Sequence, residues 1–282
     1  MPISAGLNYF AHVAEDAKPN RPPVILLHGA GGNHLSWPPQ IRRLAGETIY
    51  ALDLPGHGQS EGVGKQSIDA YADDVITFMQ SLKIRAAVIT GISMGGAIAL
   101  TLALKYPGKV KALVLLGSGA KMRVAQTILE NVGTPNTFQS AVASINASCF
   151  SENVQQNLLQ LSEQSMLKIR PPVLLGDFLA CNEFNVMEQL EKIKKPTLIV
   201  CGAEDKMMPP KLSEALRDGI AKSTLHILEG AGHMVMIEKP DEVADLLKKF
   251  LDGLPVSRRK PVKVRLVTDG EADSVQKQNS VL

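Results

Sequence analysis

Cysteines, aromatics, net charge and long apolar runs are all scarce in this sequence, and each shortage removes a class of function. Cys149, Cys181 and Cys201 are an odd set with no CxxC pair. Neither a disulfide framework nor a zinc knuckle is expected, and a reducing compartment fits. Aromatic residues are 4% of the chain, with a single Trp, which leaves little for stacking nucleobases. Lys and Arg number 30 against 28 Asp and Glu, a formal charge of +2. A balance so near neutral argues against nucleic acid or an anionic membrane as the main partner. The longest apolar run, Ala112 to Leu116, falls far short of the roughly 20 residues of a membrane span. The first eight residues carry neither a basic region nor an apolar core, so no signal peptide is expected and a cytoplasmic location is.

What remains is the composition of a globular chain: 282 residues, 45% hydrophobic and 21% charged. The last 28 residues, 255–282, hold six Lys/Arg and three Asp/Glu, leaving 24 basic and 25 acidic residues before them. Pro255 is therefore taken as the boundary between a body, 1–254, and a basic tail.

Short apolar, often β-branched runs recur through the body at Val24–Leu27, Ile49–Leu52, Ala86–Thr90, Val110–Leu116, Thr197–Cys201 and Thr224–Leu228. Most end at Gly or Asp, and strands buried on both faces have this pattern. Helical patterns lie between them over Ser36–Leu44, Ser67–Leu82, Met94–Tyr106, Pro210–Ile220 and Pro240–Leu251. The alternation predicts an α/β fold, a doubly wound and mostly parallel sheet covered on both faces. The rhythm fails between Ala120 and Lys195, which reads as several helices with a break at Pro171-Pro172. That is too long for a plain connection, so a helical insertion over about 120–195 is expected.

Gly91-Ile92-Ser93-Met94-Gly95 joins a strand to a helix. In that context G-x-S-x-G places a serine hydroxyl on a sharp turn at the carboxyl edge of the sheet, with glycines where side chains do not fit. A serine hydroxyl is a weak nucleophile without a base and an orienting acid. His233 follows the flexible Gly230-Ala231-Gly232 after the last strand, and Glu204 and Asp205 follow the strand before it. Position along the loop does not decide between those two acids. His28-Gly29-Ala30-Gly31-Gly32 follows the first strand of the set, where backbone N–H groups of Ala30 and Met94 form an expected oxyanion hole. The glycine spacing there fits neither G-x-x-x-x-G-K-[ST] nor G-x-G-x-x-G, which argues against a phosphate loop.

The set formed by His28-Gly29, Asp53-Leu54-Pro55-Gly56-His57-Gly58-Gln59-Ser60, Gly91–Gly96, Gly202–Asp205 and Gly230–His233 resembles the α/β-hydrolase fold in its capped esterase and lipase branch. The pieces occur in order and span nearly all of residues 20–250. The resemblance implies Asp205 as the acid of a Ser93–His233–Asp205 triad. It implies a structural turn, without a catalytic role, for Asp53 and His57. It also implies a helical cap inserted after the sixth strand of the fold. The chain departs from the family in a short N-terminus, with room for one strand before Val24, and in the tail after Pro255. A serine at position 93 excludes the relatives that attack with aspartate. The expected function is hydrolysis of a small or medium carboxylic ester, with no metal or organic cofactor. A C–C bond hydrolase of a ring-fission diketone, and a ligand-binding receptor with vestigial hydrolysis, use the same residues and stand as alternatives.

Trp37 is expected to wall the acyl pocket or to pin the first helix to the cap. Phe178, Phe184, Met122, Met166 and Met187 are candidates for an apolar lining, and Lys168-Ile169-Arg170 for a carboxylate contact. In the tail, Val262-Lys263-Val264-Arg265-Leu266 alternates as a strand does. It reads equally as a strand added to a sheet edge, in this chain or in a second copy, and as a loose basic tail.

Overall fold

The computed structural model describes residues 1–17 and 21–255; the alternating segment at Val262–Leu266 lies outside them. Among the described residues eight strands form one sheet: β1 (Ile3–Ser4), β2 (Leu7–Val13), β3 (Val24–Leu27), β4 (Thr48–Leu52), β5 (Ala87–Ile92), β6 (Val110–Leu116), β7 (Thr197–Gly202) and β8 (Ser223–Leu228). Their order is β1-β2-β4-β3-β5-β6-β7-β8. The pairs β1/β2 and β2/β4 are antiparallel and the rest parallel. Two strands thus precede Val24 where the sequence offered room for one.

The helices are α1 (Pro39–Arg42), α2 (Ile68–Ser81), α3 (Met94–Lys105), α4 (Gln126–Val132), α5 (Pro135–Ser148), α6 (Gln156–Met166), α7 (Pro171–Glu183), α8 (Pro210–Gly219), α9 (Val235–Glu238) and α10 (Pro240–Gly253). The central strands are apolar at most positions and bury both faces. Ile25 and Leu27 enter the core under α2, α3 and α8. Val24 and Leu26 enter the core under α1 and α10. The helix expected over 36–44 is broken into a 3-10 turn at His34–Ser36 and the single turn of α1. Pro38 and Pro39 are the cause. A residue before proline is driven to extended backbone, and Trp37 and Pro38 sit at ψ 120° and 158°.

From β3 the chain winds outward to β4, then returns to place β5 on the other side of β3. Loops leaving the carboxyl ends of two strands at such a reversal diverge and leave a crevice between them. The loops at this one are 28–34, after β3, and Ser93, after β5. Between β6 and β7 the chain makes α4 to α7. That segment leaves and rejoins the sheet side by side, with the Val186 N–H donating to Ala120 O at 2.7 Å and the Met122 N–H to Phe184 O at 3.2 Å.

Candidate active site

Ser93 sits between the end of β5 and the start of α3, with φ 53° and ψ −118°. A non-glycine residue there carries strain of about 1–3 kcal/mol and persists only where its surroundings impose it. The Ser93 N–H donates to Leu116 O at 3.0 Å, and Ser93 O accepts from Gly96 N–H at 2.8 Å and from the Ser118 hydroxyl at 3.1 Å. The flanking glycines let the backbones close in. A Cβ on Gly95 would lie 2.2 Å from Leu27 O, and one on Gly91 would lie 2.1 Å from Gly95 O. Gly95→Ala is therefore expected to lower stability by about 1–3 kcal/mol through overpacking against backbone. The urea unfolding midpoint checks this, and an unchanged midpoint contradicts it.

Asp205 and His233 meet above the ends of β7 and β8, with 3% and 4% exposure. His233 Nδ1 lies 2.9 Å from Asp205 Oδ2. A carboxylate only accepts, so that nitrogen carries the proton and Nε2 is the basic one. Asp205 Oδ1 accepts the Met207 and Met208 N–H groups at 2.9 and 2.7 Å. Glu204 turns elsewhere, accepting the Glu152 N–H at 3.2 Å. A Cβ on Gly117 would lie 3.1 Å from His233 Nδ1 and 3.2 Å from Ile92 Cδ1; the imidazole thus occupies the notch beside the residue preceding Ser93. The Ser93 hydroxyl itself has no hydrogen-bond partner among the described residues.

The 28–32 loop crosses directly over Ser93. A Cβ on Gly29 would lie 3.3 Å from Ser93 Cβ. Met94 is the first residue of α3, where the N–H has no partner inside the helix. The Ala30 and Met94 amides have no acceptor among the described residues. His28 supports the loop from below. Its Nε2 accepts the Leu54 N–H at 3.0 Å and its Nδ1 donates to Gly29 O at 2.7 Å. Burial, with His57 adding to it, lowers its pKa to about 4, so this ring stays neutral. Asp53 accepts the His34 N–H at 2.7 Å, the His34 ring at 2.8 Å and Asn8 Nδ2 at 2.6 Å. Burial opposes its ionisation, but these donors outweigh it and hold the carboxyl at about 2.

Two carboxylates that the sequence reading passed over bind these loops to the segment between β6 and β7. Glu238 accepts the Gly232 N–H at 2.7 Å and the Ser151 N–H at 2.9 Å, beside a Met234 N–H to Cys149 O bond of 3.0 Å. Asp177 of α7 accepts the Gly31 N–H at 2.8 Å. The signal for Asp177 was there, a lone acid within the apolar stretch 171–181 of α7.

Residues 22–240 match the family model described as alpha/beta hydrolase fold. The chain belongs to the alpha/beta hydrolase family. As a hydrolase it is 29% identical over 247 residues to a pimeloyl-[acyl-carrier protein] methyl ester esterase of Neisseria meningitidis, covering 82% of this chain and 94% of the relative. It is 27% identical over 250 residues to a 2-hydroxymuconate semialdehyde hydrolase of Pseudomonas sp., covering 81% and 86%. A thermophilic esterase of known structure superposes with a TM-score of 0.75 at 32% identity, covering 89% of this hydrolase and 100% of that chain.

The smaller signals divide. Trp37 is fully buried among α1, α10 and the sheet, away from the α4–α7 helices it was expected to meet. Met122 and Phe184 join the main core, Phe178 and Met166 the α4–α7 cluster, and Met187 is 43% exposed. Lys168 and Arg170 border an outer cleft of about 590 Å³ with Gly31, Asn33 and Gly58, and Arg170 donates to Gly62 O. The three cysteines are buried, and burial pushes the Cys149 thiol up to about 12. No helix among the described residues is long and apolar enough to cross a membrane.

Proposed function

We propose that this hydrolase cleaves small or medium carboxylic esters through an acyl-enzyme on Ser93. Ser93 Oγ attacks the ester carbonyl while His233 Nε2 takes its proton. The carbonyl oxygen becomes an oxyanion facing the Ala30 and Met94 amides. The intermediate collapses, breaking the bond to the alcohol oxygen, which leaves with the proton from His233. Water, deprotonated by the same nitrogen, then attacks the acyl-enzyme and releases the acid. Asp205 holds the imidazole in the tautomer that presents Nε2 and stabilises its charged form.

The observation that carries this reading is the 2.9 Å Asp205–His233 pair beside a serine held at positive φ. That the Ser93 hydroxyl makes no hydrogen bond to the imidazole among the described residues is compatible with it, because general-base hydrogen bonds in unliganded sites are often long and tighten with substrate. The relationship to the Neisseria esterase and the thermophilic esterase supports ester chemistry. A second reading, C–C bond hydrolysis on the same groups, is favoured by the relationship to the 2-hydroxymuconate semialdehyde hydrolase.

The α4–α7 helices serve as the cap in this proposal. Their apolar cluster continues onto Ala30, Met207 and Met234 of the three site loops, which supports an apolar acyl pocket closed from above. Each buried CH₂ adds roughly 0.8 kcal/mol until the pocket is full, after which overpacking costs about 1–3 kcal/mol. On a p-nitrophenyl ester series, kcat/KM is expected to peak between acetate and hexanoate and to fall by dodecanoate. A steady rise through palmitate contradicts a closed pocket. Absence of ester turnover beside cleavage of a dienoate-forming diketone selects the second reading.

A further inference from the structure

Asp177 is wholly buried on α7, beside Val173, Leu174, Phe178 and Ala180. An ionised carboxylate in such surroundings is costly unless donors satisfy its oxygens. Three do so. Oδ2 accepts the Gly31 N–H at 2.8 Å and faces His57 Nε2 at 2.8 Å, while Oδ1 accepts the Tyr71 hydroxyl at 2.5 Å. The remaining ring nitrogen of His57, Nδ1, faces Pro55 O at 3.0 Å. Both nitrogens of that ring face acceptors, which only the doubly protonated imidazolium satisfies. Burial works against the charge, but Asp177 beside it outweighs burial and raises the His57 pKa. The result is a buried ion pair joining α7 to the turn after β4, with Tyr71 of α2 closing it and the Gly31 amide drawn into it.

We propose that Asp177 is a positioning residue for the oxyanion hole: by fixing the Gly31 amide it fixes the adjoining peptide that carries the Ala30 donor. The inference rests on the acyl-enzyme reading above. The loop has a hold on each side of Ala30. Gly29 lies against Ser93, and His34 is tied to Asp53. Between them, Gly31 has φ +66° and presses on α7, where a Cβ would lie 2.8 Å from Leu174 Cδ1. Asp177 is the carboxylate that takes the amide at this point, and it comes from the segment proposed as the cap. Alignment of the Ala30 donor therefore depends on α7 being seated, so that an enzyme with its cap displaced binds ester but turns it over poorly.

Asp177→Asn tests this in the full-length enzyme. One asparagine cannot serve all three donors. With its oxygen on Gly31 it leaves the imidazolium without a counter-charge, and with its amide there Gly31 loses its acceptor. Removing an oxyanion donor outright costs about 10²–10³ in kcat, and loosening one is expected to cost about 10- to 100-fold. KM should stay within about threefold, because ground-state ester makes little use of the hole. A trifluoromethyl ketone with a butyl chain, which forms a tetrahedral oxyanion on serine, should lose affinity by the same factor as kcat. The matching methyl ketone should bind unchanged. A kcat within twofold of wild type, or equal weakening of both ketones, overturns the proposal, the second result being that of general loosening. If Asp177→Asn does not fold, His57→Gln carries the same test with an expected drop of about 3- to 10-fold in kcat, the same division between the ketones, and the same overturning results. Failure of the wild-type enzyme to form the ketone adduct on Ser93 contradicts the acyl-enzyme reading. An adduct on wild type with no effect in either variant contradicts the role of Asp177 alone.

Discussion

Ser93→Ala lowers kcat on p-nitrophenyl butyrate by about 10⁴- to 10⁶-fold with little change in KM. The size follows from what is removed. Without Oγ no covalent intermediate forms, and the Ala30 and Met94 amides can assist only direct attack by water. The fold is expected to survive. The hydroxyl has no hydrogen-bond partner among the described residues, and the bonds that hold position 93 run through its backbone to Leu116, Gly96 and Ser118. A urea midpoint close to wild type, measured on the same preparation, separates lost chemistry from lost structure. Near-normal turnover by Ser93→Ala sinks the assignment of the nucleophile.

Asp205→Asn produces the second largest effect, a loss of about 10³–10⁴ in kcat. Its origin is geometric. Oδ1 of Asp205 accepts two backbone N–H groups, from Met207 and Met208. An asparagine keeps its oxygen there, since turning it away would set two donors against a third. Its amide then faces His233 Nδ1, where Oδ2 stood at 2.9 Å. A donor facing that nitrogen forces the proton onto Nε2, the atom that has to accept from Ser93. Kinetics at pH 7–8 beside an unchanged circular dichroism spectrum give the test. A variant within tenfold of wild type shows that Asp205 does not set the tautomer.

The elements that carry the site were largely legible because they rest on local pattern. The G-x-S-x-G run states its own turn, since Gly91 and Gly95 are demanded by backbone atoms within 2.2 Å of where a Cβ would sit. The runs of β3 to β7 were legible because both faces are buried and apolar, whereas β8, expected to be buried likewise, is the edge strand and is half-buried or exposed at every position. The choice between Glu204 and Asp205 was not open to position alone and followed from family likeness. The structure supplies a physical reason: the short Asp205 side chain folds back onto the amides two and three residues ahead while still reaching His233. The helix expected over 36–44 failed because Pro38 and Pro39 hold the chain extended at Trp37 and Pro38, so that a single turn is left. Asp177 and Glu238 escaped because the contacts that tie the segment down, with Gly31, His57, Tyr71 and Ser151, span 146, 120, 106 and 87 residues of sequence. Nothing local marks such a contact except an acid placed among apolar neighbours. These long-range bonds join the α4–α7 segment to the 28–34 loop and to the loop of His233, and the proposed link between cap and oxyanion hole follows from them.

The most direct test of the central claim is covalent. Treatment with a fluorophosphonate should displace fluoride and leave one phosphonyl group per chain. Tryptic peptide mass spectrometry should place that group on Ser93. The label should be absent from Ser93→Ala and should form far more slowly on His233→Ala, because the hydroxyl then lacks its base. A wild-type chain that stays unlabelled, or one labelled at another residue, contradicts the account.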